Sequence, residues 1–294
     1  MHIYVTGATG FIGSAITEEL RRRGHEVTGL ARNERSAEAL LKAGAKVHRG
    51  NLADPDGLIS IAGRVDGIVH TAFDHDFSRY VESCEADGRL LEAMARALRG
   101  TSKTLVAAST TSVAAGEPLL TEQEPAHPQV PRSASESFLS FAEEGVRTAV
   151  VRLPPTVHGA GDRAFVPSLI ALARERGVSA YIGGGANRWP AVHRKDAARL
   201  FCDAVEQSLP GARYHGVAEE GIAFRTIAEA IGQGLGVPVE SIPPDRAEKH
   251  FGWLAMFVAL DMPASSEGTR SLTGWAPREG RLLESLHDAG YFAE

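Results

Sequence analysis

A run of evenly spaced glycines near the start constrains this chain more than any other feature. Thr6-Gly7-Ala8-Thr9-Gly10-Phe11-Ile12-Gly13 follows a short β-rich run, His2 to Val5. It opens a segment in which Ile12, Ile16 and Leu20 recur at helical spacing until Gly24. Each glycine has a mechanical reason. Gly7 permits the tight turn, Gly10 lets the backbone approach a pyrophosphate, and Gly13 lets the helix lie close to the strand. The helix start then offers free N–H groups and a partial positive charge to phosphates. In this strand–turn–helix context the spacing reads as dinucleotide binding, against an ordinary glycine-rich turn.

Composition narrows the alternatives. The 294 residues suit one large or two modest domains, and 31 glycines exceed the roughly 7% of average proteins. Those glycines have no three-residue period, which excludes a collagen-like chain. With 43% hydrophobic and 23% charged residues, whole-chain disorder is excluded as well. A net charge of -6 argues against nucleic acid as the main partner. The one dense basic run, Arg21-Arg22-Arg23, closes a helical pattern where cations suit the dipole. Cys84 and Cys202 lie far apart and in no metal-ligand spacing, so neither a disulfide framework nor a metal site is expected. Phe251 to Leu260 is too short an apolar stretch to span a membrane. Met1 leads into a strand and not a basic leader, so a cytoplasmic protein with no membrane partner is expected.

Along the first half, strand and helix signals alternate. Strands are expected at His2–Val5, Glu26–Leu30, Ala45–His48, Ile68–Thr71, Thr104–Ala108 and Thr148–Arg152. Helices are expected near Ser36–Ala43, Arg79–Leu98 and Ser135–Glu144, with a Pro- and Glu-rich loop from Gly116 to Pro131. This alternation predicts an α/β fold: a doubly wound parallel sheet with its ligand at the carboxyl ends of the strands. After Arg152 the rhythm loosens into helical patterns near Phe165–Arg176, Arg194–Gln207, Phe224–Leu235 and Ala247–Ala259. The expected division is residues 1–153, with a return segment near 189–210, and a smaller, mostly helical C-terminal substrate lobe over 154–294. Trp189, Trp253 and Met256 are expected in the core or at the lobe interface.

The glycine turn resembles the fingerprint of extended and atypical short-chain dehydrogenases/reductases, the nucleotide-sugar epimerase/dehydratase group. Asn51-Leu52 stands where that family has Asp-Leu beside the adenine. His70-Thr71-Ala72 resembles its H-x-A stretch, and Ala191 to Asp196 resembles its F-V-H-V-D-D segment. The resemblance covers essentially the whole chain and implies a Rossmann-type fold. It implies cofactor contacts from Gly7, Thr9, Gly10, Phe11, Ile12, Gly13, Asn51, Leu52, Thr71, Ala72, Phe73, Ser109 and Pro154. At the end of the second strand, Ala31 replaces the acid that would hold a ribose 2′-OH, and Arg32 follows it. A guanidinium pairs with a 2′-phosphate, so NADP(H) is expected over NAD(H).

The family's proton chemistry uses Ser or Thr with Tyr-x-x-x-Lys, the lysine lowering the tyrosine pKa. Thr110, in Ser109-Thr110-Thr111-Ser112, keeps the first position. The pair itself is missing, because no tyrosine lies between Tyr80 and Tyr181. Alignment on Ser135 puts Arg132 at the tyrosine and Glu136 at the lysine. Thr110, Arg132 and Glu136 are therefore the catalytic candidates: Glu136 as acid or base, Arg132 polarising a carbonyl. The competing reading makes Arg132 and Glu136 an i, i+4 surface pair.

His75, in Asp74-His75-Asp76, has residue types suited to proton transfer or metal binding, against a solvated loop. His158 occupies the position of the family's V-Y-G loop, and Arg188 matches an arginine that contacts a nucleotide-sugar phosphate. All three are substrate-side candidates. The expected function is an atypical NAD(P)-dependent oxidoreductase or epimerase/dehydratase-like enzyme acting on a small carbonyl, hydroxyl or nucleotide-sugar-like substrate. The alternative is a catalytically silent NADP(H)-responsive sensor or binding protein. The family pairs the helices Arg79–Leu98 and Ser135–Glu144 across a two-fold axis, and Leu90, Leu91, Met94 and Leu98 supply apolar spacing, so a homodimer is expected.

Overall fold

Short β-branched runs, each released from the preceding helix by a loop, line up side by side in the computed structural model, which describes residues 1–113, 118–207 and 209–293. Strands β1 (His2–Thr6), β2 (Glu26–Ala31), β3 (Lys46–Arg49), β4 (Gly67–His70), β5 (Thr104–Thr110) and β6 (Arg147–Leu153) are all expected from the sequence pattern. Beyond them come β7 (Thr156–His158), β8 (Ser179–Ile182), β9 (Arg188–His193), β10 (Ala212–His215), β11 (Glu219–Ala223) and β12 (Val239–Ile242). The main sheet has seven parallel strands in the order β10-β6-β5-β4-β1-β2-β3. The order reverses between β1 and β4, and open sheets of this kind bind their ligands above the carboxyl ends of the strands at such a switch point.

Alternation along β1 sends Ile3 and Val5 to one face and Tyr4 to the other, so both faces must be covered. On the first face lie α1 (Phe11–Arg22), α2 (Glu34–Lys42) and α6 (Arg194–Gln207), which bury Ile16, Leu20, Leu40, Leu200 and Phe201. The Arg21-Arg22-Arg23 run does close α1, and Arg23 ties α1 to α6 through Glu19, Asp203 and Glu206. The second face is covered by α3 (Pro55–Ala62), α4 (Tyr80–Ala97) and a 3-10 segment, Pro131–Glu144. The pattern missed α3, although Asp54 caps it by accepting from the Gly57 N–H at 3.1 Å, with Pro55 in its first turn. Leu90, Leu91, Met94 and Leu98 are all buried against the sheet in this layer. They cover the protomer's own strands and leave no apolar stripe from these residues for a second copy.

The C-terminal part also holds more β-structure than its pattern suggests. Strands β7, β9 and β11 form one small sheet, and β8 with β12 another. They pack with α5 (Phe165–Arg176) and α7 (Phe224–Leu235) around a separate apolar cluster that includes Trp189. The expected helix Ala247–Ala259 is interrupted, because Gly252 adopts φ 55, ψ -131 between Ala247–Phe251 and Ala255–Val258. That break turns Trp253 and Met256 outward, 54% and 67% exposed, so both differ from the buried positions expected of them. Of the expected loop from Gly116 to Pro131, Gly116 and Glu117 lie outside the described residues. Among the described residues, no helix is long and apolar enough to cross a membrane.

Candidate active site

The turn between β1 and α1 has the tight geometry its glycines predict. Gly7 sits at φ 68, and a Cβ there would lie 2.7 Å from the Ala72 nitrogen. A Cβ on Gly13 would lie 2.0 Å from the Gly7 carbonyl oxygen, so the helix can approach the turn only without a side chain. Gly10 precedes α1 with no side-chain cap, and the first turn carries no acid. The amides at that end are thus left for a ligand and not spent on the chain's own side chains. Thr71 closes the floor by donating to the Thr6 carbonyl at 2.8 Å. Thr9 is exposed at the lip of the turn, and Phe11 and Ile12 are half-buried behind it.

Two further observations fit a dinucleotide over these strand ends. Ser109, near the end of β5, keeps a buried hydroxyl with no hydrogen-bond partner among the described residues. At the end of β2, Ala31 is buried while Arg32 is exposed, without a hydrogen bond or ion pair among the described residues. The nearby acid, Glu34, is engaged by Arg49 through two hydrogen bonds of 2.7 and 3.0 Å. The neighbourhood of Arg32 is therefore free of an uncompensated carboxylate from Glu34. Asn51 accepts from the Ala53 N–H at 2.8 Å and holds the loop beside Leu52, while Pro154 is buried after β6.

Arg132 and Glu136 point to different partners, and the i, i+4 pair between them does not form. Arg132 is buried, donates to Asp87 Oδ2 at 3.0 Å and to the Ala108 carbonyl at 3.2 Å, and lies 3.9 Å above the Phe73 ring. Asp87 was not anticipated as a site residue. It also accepts from Ser135 Oγ at 2.7 Å and meets His70 Nε2 at 2.9 Å, and His70 Nδ1 meets Thr6 Oγ1 at 2.9 Å. Burial alone would raise the Asp87 carboxyl, but His70, Arg132 and Ser135 outweigh it and hold the group below its ordinary value. Gly88 allows this meeting: a Cβ there would lie 2.6 Å from the Ala134 carbonyl, so α4 sits directly against the segment carrying Arg132. The signal was present in the sequence. Asp87 shares a helical face with Cys84, Leu91 and Met94, and a carboxylate in an apolar stripe requires a buried partner.

Glu136 instead faces the sheet interior, where Arg152 holds both its oxygens. Thr110 is the last residue of β5, with its hydroxyl 3.0 Å from Ser112 Oγ. His75 is exposed, with its ring edge-on to Phe73 at 5.1 Å, and partial desolvation and the Arg132 charge lower its pKa. His158 is buried under the C-terminal helix Leu282–Asp288, with Nδ1 2.9 Å from Ser285 Oγ. Burial and the neighbouring His193 push it down to about 3. Arg188 stands at the start of β9, paired with Asp261. Among the described residues no group of three or more His, Cys, Asp or Glu is placed to hold a metal, and Cys84 and Cys202 are free and buried.

Comparison with known proteins agrees with this geometry. The model of the NAD dependent epimerase/dehydratase family matches residues 3–215, ending on the last residue of β10. The chain is 48% identical over 295 residues to the uncharacterized protein C2A9.02 of Schizosaccharomyces pombe, covering 99% of this chain and 100% of the relative. It is 27% identical over 258 residues to a 2-alkyl-3-oxoalkanoate reductase of Stenotrophomonas maltophilia, covering 81% and 77% of the two chains. Among solved structures, MoeE5 in complex with UDP-glucose and NAD superposes with a TM-score of 0.76 at 20% identity, over 99% of this chain and 98% of that one. That last likeness is one of fold.

Proposed function

Because the chain belongs to the NAD dependent epimerase/dehydratase family, we propose that it is an NADP(H)-dependent oxidoreductase for a small carbonyl or hydroxyl compound, working without Tyr-x-x-x-Lys. The observation that carries this reading is the cradle at Gly7, Gly10 and Gly13: a Cβ at Gly13 has no room, and the amides of α1 have no side-chain cap. The dinucleotide would lie across the ends of β1, β4 and β5, with its pyrophosphate on α1, its adenine toward Asn51-Leu52 and its nicotinamide toward Thr110. Arg32 supports the 2′-phosphate form, since an exposed guanidinium attracts that group and the Ala31 side chain has no acceptor for a 2′-OH.

A bound nicotinamide supplies the hydride, and the chain supplies orientation and charge. By the alignment on Ser135, Arg132 would stand where the family has its tyrosine, and its attachment to Asp87 fixes the guanidinium against Phe73. A fixed cation of this kind stabilises negative charge developing on a substrate oxygen. Thr110 would hydrogen-bond that oxygen, and the proton that completes the alcohol would come from solvent. Glu136, with both oxygens on Arg152, serves the site by fixing the segment that carries Arg132. His158 serves the C-terminal lobe in the same way and does not meet substrate.

The reading is tested by titrating the purified protein with NADPH and NADH while following nicotinamide fluorescence. NADPH should bind at least tenfold tighter, and Arg32→Ala should remove most of that difference. Equal affinities would refute the NADP(H) assignment. The second reading, a silent cofactor-responsive binding protein, is favoured by one observation: Arg132 is buried and already neutralised by Asp87. Tight NADPH binding with no oxidation by a panel of ketones and aldehydes would select it. A two-fold pairing through α4 would rest on its exposed charged residues, such as Glu85 and Arg89, and light scattering reads that directly.

A further inference from the structure

Resting on the reductase reading above, we propose that Asp261 makes this site select an uncharged, largely apolar carbonyl compound and reject nucleoside diphosphate sugars. By its resemblance to the family's phosphate-contacting arginine, Arg188 is the residue on which a sugar nucleotide's phosphates would depend, and its guanidinium is already occupied. Nε donates to Asp261 Oδ1 at 3.0 Å and a terminal nitrogen to Oδ2 at 2.8 Å, and that same nitrogen reaches the Pro118 carbonyl at 3.3 Å. The planar fork that would grip a phosphate bidentately is thus closed on a carboxylate.

Rotating Arg188 away would not open the site to an anion. Asp261 Oδ1 also accepts from the Arg188 backbone N–H at 2.6 Å, so the carboxylate stays when the side chain leaves. Its bonds to Arg188 hold the carboxyl below its ordinary value, and it stays charged at neutral pH. A diphosphate arriving here loses its cation and meets an anion. An unfavourable charge placed against one class of ligand is a device for specificity.

The segment that carries Asp261 is otherwise apolar. Trp253, Met256 and Leu260 are 54%, 67% and 44% exposed, and Leu119 beside Pro118 is 39% exposed. Phe165 backs this surface, with ring centroids 6.0 Å from Trp253 and 4.9 Å from Phe257. The segment is pinned to β9: Asn187 Nδ2 donates to the Val258 and Leu260 carbonyls at 2.8 and 3.0 Å, and Met262 N–H to the Arg188 carbonyl at 3.0 Å. It also stands beside the strand ends. Arg188 opens β9, which pairs with β7 just after β6, and Leu153 at the end of β6 pairs with Thr110 of β5, while Leu120 N–H donates to the Pro263 carbonyl at 3.0 Å. Exposed apolar surface clustered beside a crevice marks a ligand groove.

The experiment begins with NADPH titration of the wild type, which reads the cofactor assignment by itself. UDP-glucose and UDP are then titrated calorimetrically into wild type, Asp261→Asn and Arg188→Met, each checked for fold by its thermal melt. The wild type and Arg188→Met should show no binding at millimolar ligand, and Asp261→Asn should gain at least tenfold in affinity for UDP. In parallel, acetophenone and ethyl 3-oxohexanoate should quench tryptophan emission, because Trp253 is exposed while Trp189 and Trp275 are buried. Met256→Asp, which keeps the reporter, should weaken that quenching about tenfold. Micromolar binding of UDP-glucose by the wild type, lost in Arg188→Met, would overturn the proposal. So would tryptophan emission indifferent to both ketones.

Discussion

Arg152 grips Glu136 with two parallel hydrogen bonds, Nε to Oε1 and a terminal nitrogen to Oε2, each 2.8 Å long and with both side chains removed from water. The remaining terminal nitrogen donates to the Glu124 carbonyl at 2.8 Å and approaches His215 Nε2 at 3.5 Å. This pair places the tip of β6, the segment carrying Arg132 and the edge strand β10 in one fixed arrangement.

Breaking one half of the pair leaves a buried charge uncompensated. Glu136→Ala should therefore lower unfolding free energy by about 3–5 kcal/mol, whereas replacing both partners with apolar residues should cost much less. Urea denaturation of Glu136→Ala and of Glu136→Leu with Arg152→Met measures the contrast. Equal losses in the two proteins would count against the pairing.

Asp87 stands in a similar relation to Arg132 and His70, but beside the crevice. Asp87→Ala should destabilise by about 3–5 kcal/mol through the orphaned guanidinium. Cofactor affinity should stay within a few-fold, because the glycine turn stands on other atoms. Denaturation and NADPH titration of the same sample separate the two effects, and a collapse of NADPH binding in a folded variant would contradict this division.

The glycine turn predicts a sharp positional contrast. Gly13→Ala places a Cβ 2.0 Å from the Gly7 oxygen, while a Cβ on Gly184 meets nothing within 4 Å. The first substitution should cost the upper end of the about 1–3 kcal/mol typical of overpacking and weaken NADPH binding sharply. The second should change neither. Thermal melts with and without NADPH show both quantities.

His158 gives the fold a pH dependence whose sign follows from its burial. In the unfolded chain it protonates near its ordinary 6.5, and in the fold only at about 3, so between those values the unfolded state binds the extra proton. Stability should fall as pH drops below 6.5, by about 2 kcal/mol from this residue between pH 7 and 5. His193 and His215, also lowered mainly by burial, act in the same direction. His158→Asn should flatten the profile measured by urea denaturation from pH 7 to 5. An unchanged slope would show that His158 does not set it.

What was legible in the sequence follows from the range of the forces involved. The glycine turn and the first six strands are local: each is written in a few adjacent residues, and the structure has them where the pattern expects. The partners of Arg132 and Glu136 are set by tertiary distance. Asp87 and Arg152 lie 45 and 16 residues away along the chain, and no i, i+4 rule reaches them. Both left a trace, as a charge within an otherwise apolar face. Strand β10 left almost none, being four residues long with an arginine and a histidine among them. Trp253 and Met256 were misplaced because periodicity assumes an unbroken helix, and Gly252 breaks it.

Strand β10 also bears on how this chain can be divided. It pairs with β6 although about 60 residues intervene, and it brings His215 beside Arg152. A fragment ending at residue 153 would expose one edge of β6 and leave Arg152 short of a neighbour. The nucleotide-binding half is thus not a detachable module. During synthesis the sheet must wait for residue 215 before its last edge is covered, so β7, β8, β9, α5 and α6 are made first, while β11 and β12 complete the small sheets only afterwards.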